Sequence, residues 1–79
     1  MVQTRFGTDG QVQPVAFVWR HRTRYVTGLG RVWQTEDDRG HPIQRFLVQT
    51  ASGDTFELEF GLLSQGWQLT RVWLTQHTA

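Results

Sequence analysis

The chain has 79 residues, no cysteine and a formal net charge of +1, because its eight basic residues, all arginine, face seven acidic ones. A chain of this length forms one domain with a small core. The absence of cysteine excludes disulfides, thiolate metal sites and thiol catalysis. No apolar run is long enough to span a membrane and the first six residues lack the apolar stretch of a secretory signal, so we expect a cytoplasmic protein without membrane contact.

The charges are unevenly distributed along the chain. Residues 1–34 hold five arginines against Asp9, whereas residues 35–79 hold six carboxylates against three arginines. This asymmetry indicates either a side that faces a partner or a fold whose hairpins place both signs on every face. Arginine also makes planar, bidentate and stacking contacts that lysine cannot make.

Short runs of Val, Thr, Phe, Trp and Leu between glycine-containing turns are typical of β-strands, and no segment has the apolar spacing of an amphipathic helix. We predict a polar arm or edge strand over 1–13, a single β domain over 14–74 and a frayed tail over 75–79. The predicted strands of the domain are 15–20, 24–33, 43–50, 55–60 and 67–74. The main connections are a turn at 21–23, a long acidic loop at 34–42 and a hairpin turn at 51–54.

Five or six short strands joined by hairpins predict an all-β fold, an antiparallel meander curled into a small SH3-like barrel. Gly28 and Gly30 allow the second strand to coil sharply. Simple alternation places five residues on one face of that strand: Tyr25, Thr27, Leu29, Arg31 and Trp33.

The last strand has no uniformly apolar face, because Arg71 alternates with its large apolar residues. A bulge near Thr70 and Arg71 would shift the alternation by one residue. We therefore predict a bulge there, which brings together Trp67, Leu69 and Val72.

The sequence contains no recognisable catalytic or metal-binding pattern. Its serines and histidines have no nucleophile-elbow spacing, and the acidic run at 36–38 lacks the calcium-loop pattern. Glu57 and Glu59 alternate as the wet face of an amphipathic strand does, and the pair Gly28 and Gly30 lacks the third glycine and the helix of a dinucleotide site. We predict a protein that is not an enzyme, with no catalytic residue, metal or cofactor.

The most informative segment runs from residue 19 to residue 25, where three arginines and a histidine crowd one hairpin between aromatic residues. Arginine forks match phosphates, and aromatic faces stack on bases. The predicted nucleic-acid-binding residues are Arg20, Arg22, Arg24, Tyr25, Arg31 and Trp33. The structural alternative is that Trp19 and Trp33 belong to the core, while the arginines pair with the acidic loop or the carboxylates of the fourth strand.

Leu62 and Leu63 place two large apolar side chains in a predicted polar loop. They either close the end of the barrel or form a protein-contact patch. The ten aromatic residues also exceed what a core of this size hides. Both observations favour the alternative of a protein-interaction module that uses exposed aromatics or a sheet edge.

The chain also carries a set of short motifs over residues 14–74. They are Pro14-x-x-Phe17-x-Trp19-Arg20-x-Arg22, then Tyr25-Val26, then Gly53-x-x-Phe56-x-Leu58, then Gly66-Trp67-x-Leu69-x-Arg71-Val72. The set resembles a family of uncharacterised small bacterial β domains, and it is similar to the C-terminal segment of catalytically inactive Y-family-polymerase-like proteins of the bacterial mutasome. The sequence departs from that pattern at His21, where a turn glycine is usual, at Thr23, which would lengthen the turn, and at Trp73, near a position that is often tyrosine.

The resemblance implies a bacterial accessory module associated with DNA repair or translesion synthesis, and it implies no catalytic activity. Together with the arginine-rich hairpin, it predicts a binding or accessory module. The predicted partner is single- or double-stranded DNA, or else a polymerase-like or other protein. Oligomeric state and the choice between these partners are left open by the sequence.

Overall fold

Six β-strands account for most of the chain in the computed structural model, which describes residues 2–6 and 12–75. The strands are β1 (Val2–Phe6), β2 (Val12–Trp19), β3 (Arg22–Glu36), β4 (Pro42–Thr50), β5 (Thr55–Gly61) and β6 (Trp67–Trp73). The part of the chain described contains no helix that could cross a membrane.

The strands form one antiparallel sheet in the order β1-β2-β3-β4-β5-β6, so every strand pairs with its neighbours in sequence. The sheet curls into a half-barrel, which confirms the predicted all-β, SH3-like meander. β1 supplies the sixth strand at the edge beside β2, with Val2 opposite Phe17. The rest of the predicted N-terminal arm at 7–11 and of the tail at 76–79 lies outside the described residues.

The core lies on the concave face of the sheet. Its centre consists of Phe46, Val48, Phe56 and Leu58, each at most 2% exposed. On β5 these core residues alternate with Glu57 and Glu59, but Glu57 is itself buried, so the predicted wet face of this strand is largely covered. Phe17 of β2 packs edge-on against Phe56 with ring centroids 4.8 Å apart, which joins the two halves of the sheet.

β3 does not alternate simply, because its register against β4 shifts twice, between Val26 and Gly28 and between Leu29 and Val32. Each shift adds an unpaired residue and exchanges the two faces of the strand. The predicted common face of five residues is therefore wrong.

After these shifts, Leu29 and Val32 lie opposite core residues of β4 and share the concave face, whereas Trp33 lies opposite Arg45 on the convex face. Gly30 fits this close approach, because a Cβ there would lie 3.3 Å from the carbonyl oxygen of Leu47.

β6 contains the predicted bulge. Glu57 pairs with Arg71 while Leu58 pairs with Leu69, so Thr70 is the extra residue. Its hydroxyl donates to the carbonyl oxygen and to the carboxylate of Glu57. The predicted outcome is confirmed, since the three apolar residues of the strand all pack on the core: Trp67, Leu69 and Val72.

Two connections are shorter than predicted. The turn between β2 and β3 consists of Arg20 and His21 alone, and Thr23 already pairs with Val18. The turn is therefore not lengthened. The predicted turn at 21–23 is wrong, because the observed turn starts one residue earlier and ends two residues earlier. The predicted loop at 34–42 shrinks to 37–41, because the Asp37 carboxylate accepts backbone N–H bonds from residues 39 and 41 at 2.8 and 2.9 Å and closes the chain on itself.

Candidate functional site

The turn between β2 and β3 has an unusual backbone. Arg20 and His21 have φ angles of 51° and 64°, and the pair Trp19 and Arg22 closes the turn. Positive φ at both central residues defines a type I′ turn, for which Asn-Gly is preferred. A residue other than glycine in this region costs about 1–2 kcal/mol. The protein accepts that cost and thereby places two long cationic or titratable side chains at the tip of a hairpin.

The hairpin extends beyond the strands beside it. β1 pairs with β2 only as far as Phe17, and β4 pairs with β3 only as far as Val26. We call residues 18–25 the basic ribbon. Its tip, residues 18–23, is two strands wide and carries no further strand on either side among the residues described. At its base, Arg24 and Tyr25 pair with residues of β2 that β1 also flanks. Arg22 and Arg24 pair with Trp19 and Phe17 and share the concave face with them.

Trp19 connects the basic ribbon to the core. Its ring packs edge-on against Phe56 with centroids 5.3 Å apart. The guanidinium carbons of Arg20 and Arg24 lie 4.4 and 5.1 Å from its ring centroid. A cation–π contact uses the flat face of a guanidinium, so the N–H groups at its edge remain available for another acceptor.

The arginines of the molecule divide into two groups. Arg45 lies 3.0 Å from Glu59 and 3.8 Å from Glu57, and Arg71 lies 4.0 Å from Glu57. Within residues 2–6 and 12–75, no carboxylate lies within 4.0 Å of the four predicted contact arginines: Arg20, Arg22, Arg24 and Arg31. The alternative that these four pair with the β5 carboxylates or the acidic loop is therefore wrong for the described part of the chain.

Arg24 is the most enclosed of the four arginines. Its Nε atom is buried and has no hydrogen-bond partner in the structure. The nearby carboxylate of Asp54 has a pKa below its ordinary value, chiefly because the backbone N–H of Thr75 and the hydroxyl of Ser52 donate to it, with a smaller contribution from the positive charge of Arg24. Asp54 thus accepts from Ser52 in its own turn and from Thr75 after β6, and no hydrogen bond joins it to the Arg24 Nε atom among the described residues.

The six predicted contact residues do not form one surface. Tyr25 belongs to the basic ribbon and is 64% exposed, but it lies on the convex face, opposite to its neighbour Arg24. Arg31 stacks on Trp33 at 4.7 Å, further along β3. Arg31 is seven positions after Arg24, but the two register shifts between them each add a bulge residue, so about 17 Å of strand separates the two side chains. The structure therefore divides the prediction into the basic ribbon and a separate pair.

The half-barrel also has an apolar opening that the sequence did not predict. Leu29 and Val32 are exposed at the rim of a cavity of about 230 Å³ that Phe46, Phe60 and Leu62 help to line. The two shifts in β3 turn these residues toward the cavity. The spaced glycines of β3 were the available signal, since isolated strand glycines mark bulges. Leu63 does not line this cavity and is 67% exposed.

An open cleft of about 610 Å³ lies at the end of the sheet opposite the basic ribbon, between the 37–41 loop and the turn before β6. His41 Nδ1 lies 3.4 Å from Asp37 Oδ2, and Ser64 lines the same cleft. The Ser64 oxygen accepts the backbone N–H of Gly66, and no hydrogen bond joins it to His41 in the described chain. The cleft therefore lacks the contact that would activate a nucleophile.

The fold and the basic ribbon define a small all-β domain with an arginine-bearing β-hairpin. Comparison with known proteins finds no similar family model, characterised protein or solved structure. The resemblance to polymerase-associated domains stays a prediction. The geometry of the ribbon and of the surfaces around it is therefore the basis for a proposed function.

Proposed function

We propose that the protein is a non-enzymatic nucleic-acid-binding module whose contact surface is the basic ribbon. One observation carries this proposal: among the residues described, no carboxylate lies within 4.0 Å of the three ribbon arginines, whereas Arg45 and Arg71 are paired. Arginines that are left unpaired beside paired ones indicate that their counter-ion comes from another molecule. A phosphate backbone supplies such counter-ions in a row.

The arrangement of the arginines supports an anionic ligand. Arg20 and Arg24 both approach the ring of Trp19, so two like charges are held in one small region. Such charges repel each other, and an anion between or beside them offsets that repulsion. The buried Nε of Arg24 also lacks an acceptor, and a phosphate oxygen is a strong one.

The neighbouring surfaces extend the proposed contact. Tyr25 on the ribbon and the pair of Arg31 and Trp33 further along β3 are the predicted stacking and phosphate contacts. About 17 Å separates the two groups along the strand, which corresponds to about five nucleotides at 3.4 Å each. A nucleic acid that touches both groups must therefore be at least about that long.

The cellular setting of the proposed module follows from sequence patterns alone. We assign it to the bacterial cytoplasm, because the chain has no cysteine and resembles bacterial domains. The same resemblance supports an accessory role in DNA repair.

The first test is a fluorescence anisotropy titration of the full chain with labelled single- and double-stranded DNA at two salt concentrations. Neutralisation of three phosphates by the ribbon arginines gives a slope of log affinity against log salt of about −2 for a single strand and about −3 for a duplex. Absence of binding to either probe at low salt would refute the proposal.

A matched pair of variants separates the ribbon from general charge. Arg22→Glu and Arg39→Glu change the net charge equally, and both arginines are exposed, but only Arg22 lies on the ribbon. We expect Arg22→Glu to weaken binding about tenfold or more and to reduce the salt slope by about 1. Arg39→Glu should have a much smaller effect. Equal effects of the two substitutions would contradict the proposed surface, provided circular dichroism shows both variants folded.

A second candidate function is protein binding at the apolar rim of the half-barrel. Exposed Leu29, Val32 and Leu62 surround the 230 Å³ cavity, and exposed Leu63 follows in the same turn. The resemblance implies one partner to test, the polymerase-like mutasome protein. Co-production of the two proteins followed by gel filtration should give a complex that Val32→Ser removes and Arg22→Glu leaves intact. Separate elution of the wild-type proteins would refute this candidate.

A further inference from the structure

The shape of the basic ribbon specifies which form of nucleic acid it fits. We propose that the ribbon enters the major groove of duplex DNA, with Arg20 directed at base edges and with Arg22 and Arg24 near the phosphates. This inference rests on the nucleic-acid binding proposed above, and it adds the duplex, the groove and a preference for guanine.

The dimensions of the ribbon agree with this groove. On β3, residues 22–25 extend past the last pairing with β4. The hairpin is two strands wide only at its tip, over the pairs Val18–Thr23 and Trp19–Arg22, because the partners of Arg24 and Tyr25 on β2 also pair with β1. This two-stranded tip is about 7 Å long, and the turn adds to its reach. The major groove of B-form DNA is about 12 Å wide and 8.5 Å deep and admits a two-stranded ribbon, whereas the minor groove is only about 6 Å wide.

The faces of the ribbon argue against a single strand as the preferred ligand. Binding of a single strand depends on exposed aromatic rings beside the cationic groups. On the arginine face of the ribbon the aromatic ring is that of Trp19, which two guanidiniums and the edge contact with Phe56 already occupy. Tyr25 is exposed but lies on the opposite face. The arginine face thus offers cations without a free stacking platform.

The tip of the ribbon carries the chemistry that reads a base pair. Arg20 is one of the two turn residues, and its contact with Trp19 at 4.4 Å limits the freedom of its side chain. The most frequent specific contact in the major groove is an arginine fork on O6 and N7 of guanine. An arginine that is ordered before binding loses less entropy when it makes this contact.

The distribution of charge orients the molecule on DNA. The acidic 37–41 loop follows the far end of β3, the longest strand at 15 residues, so it is directed away from the ribbon. At the base of the ribbon, the carboxylate of Asp54 accepts hydrogen bonds from Ser52 in its own turn and from Thr75 after β6. A duplex can therefore approach the ribbon end without meeting the acidic loop.

The test compares four labelled probes with the full chain at one salt concentration. They are a guanine-containing DNA duplex, one of its strands alone, the same duplex with 7-deazaguanine, and an RNA duplex of the same sequence. We expect the DNA duplex to bind about tenfold more tightly than the 7-deazaguanine duplex, which lacks the N7 acceptor. The single strand and the RNA duplex should also bind more weakly, because the A-form major groove is too narrow for side chains to enter.

Two outcomes are distinguishable from a failure of the proposed function. Equal or tighter binding of the single strand, or equal binding of the 7-deazaguanine duplex, overturns the groove model while nucleic-acid binding itself stands. Absence of binding to all four probes at low salt refutes both proposals. Arg20→Lys keeps the charge but not the fork, so it should preserve the salt slope and remove the discrimination against 7-deazaguanine. A variant that retains this discrimination also overturns the assignment of Arg20.

Discussion

The two hairpin turns at the ribbon end of the sheet differ in which residues adopt left-handed backbone. The turn between β4 and β5 uses Gly53 at a φ of 87° and secures Asp54 with hydrogen bonds from Ser52 and Thr75. The turn between β2 and β3 puts Arg20 and His21 into left-handed backbone. The first turn is built for stability. The second places Arg20 at the tip at a cost in stability, and the proposed contact with DNA would make use of that position.

The largest effect should come from Phe56, which supports both hairpins. Its side chain is fully buried and contacts the rings of Phe17 and Trp19. Phe56→Ala should lower the free energy of unfolding by about 3–5 kcal/mol, a large part of the total for a domain of this size. Urea denaturation followed by tryptophan fluorescence measures this. A loss below about 1 kcal/mol would show that the core is not shared between the hairpins.

A smaller loss is expected where arginines are paired. Arg45→Met removes the partner of Glu57 and Glu59, which are neighbours on one face and largely buried. We expect a loss of about 1–3 kcal/mol, because two carboxylates are then left together. Arg39→Met in the exposed loop is the matched control and should change stability by less than about 0.5 kcal/mol. Equal thermal midpoints of the two variants would contradict the division of the arginines into two groups.

Replacing the strained turn should raise stability and lower binding. The double substitution Arg20→Asn and His21→Gly installs the preferred residues of a type I′ turn. We expect a gain of about 1–2 kcal/mol in the free energy of unfolding together with weaker DNA binding. Denaturation and anisotropy measured on the same sample check both parts. A variant that gains stability and binds DNA as before would show that the cations at this turn have no role in the contact.

The hydrogen bonds to Asp54 in the turn between β4 and β5 should make the stability of the protein fall in acid. Since hydrogen bonds from Thr75 and Ser52 depress the pKa of Asp54 in the folded state, its contribution to stability is present above the ordinary value of 3.8 and is lost as the pH falls through the depressed pKa. Asp37 shifts in the same direction, chiefly through the backbone N–H of His41.

Asp54→Asn should therefore flatten the fall in thermal midpoint below pH 4 relative to the wild type. Asp38→Asn is the control, because its carboxylate makes no hydrogen bond within the described chain. If the thermal midpoint falls identically below pH 4 in the wild type and in Asp54→Asn, Asp54 is not the cause of that fall. This is the smallest of the four effects.

Much of the fold could be predicted from sequence because local patterns determine it. Clean alternation along residues 55–60 identified the buried face of β5, and the broken alternation of β6 located the bulge at Thr70. These signals arise within one strand. For the two shifts in β3 the spaced glycines are the only local signal, and the positions of the shifts are set by the register against β4.

The candidate site was predictable in composition but not in geometry. Arginine crowding marked residues 20–24, yet the sequence could not show that Arg45 and Arg71 take the carboxylates of β5. It also could not place the turn at Arg20 and His21, because this pair is far from the Asn-Gly pair that a type I′ turn prefers. Both features depend on contacts between strands that are distant in sequence.

The attachment of the ribbon through Trp19 has a consequence for how this protein can change. At the tip, Arg20 contacts the indole of Trp19, which in turn packs on Phe56 of the core. If the tip binds DNA as proposed, new side chains at Arg20 would alter the ligand without repacking the barrel. Most mutations that find a new specificity also carry a folding penalty. Here the ring of Trp19 lies between the tip and the core. Related domains could therefore change their ligand at the tip while keeping the same core.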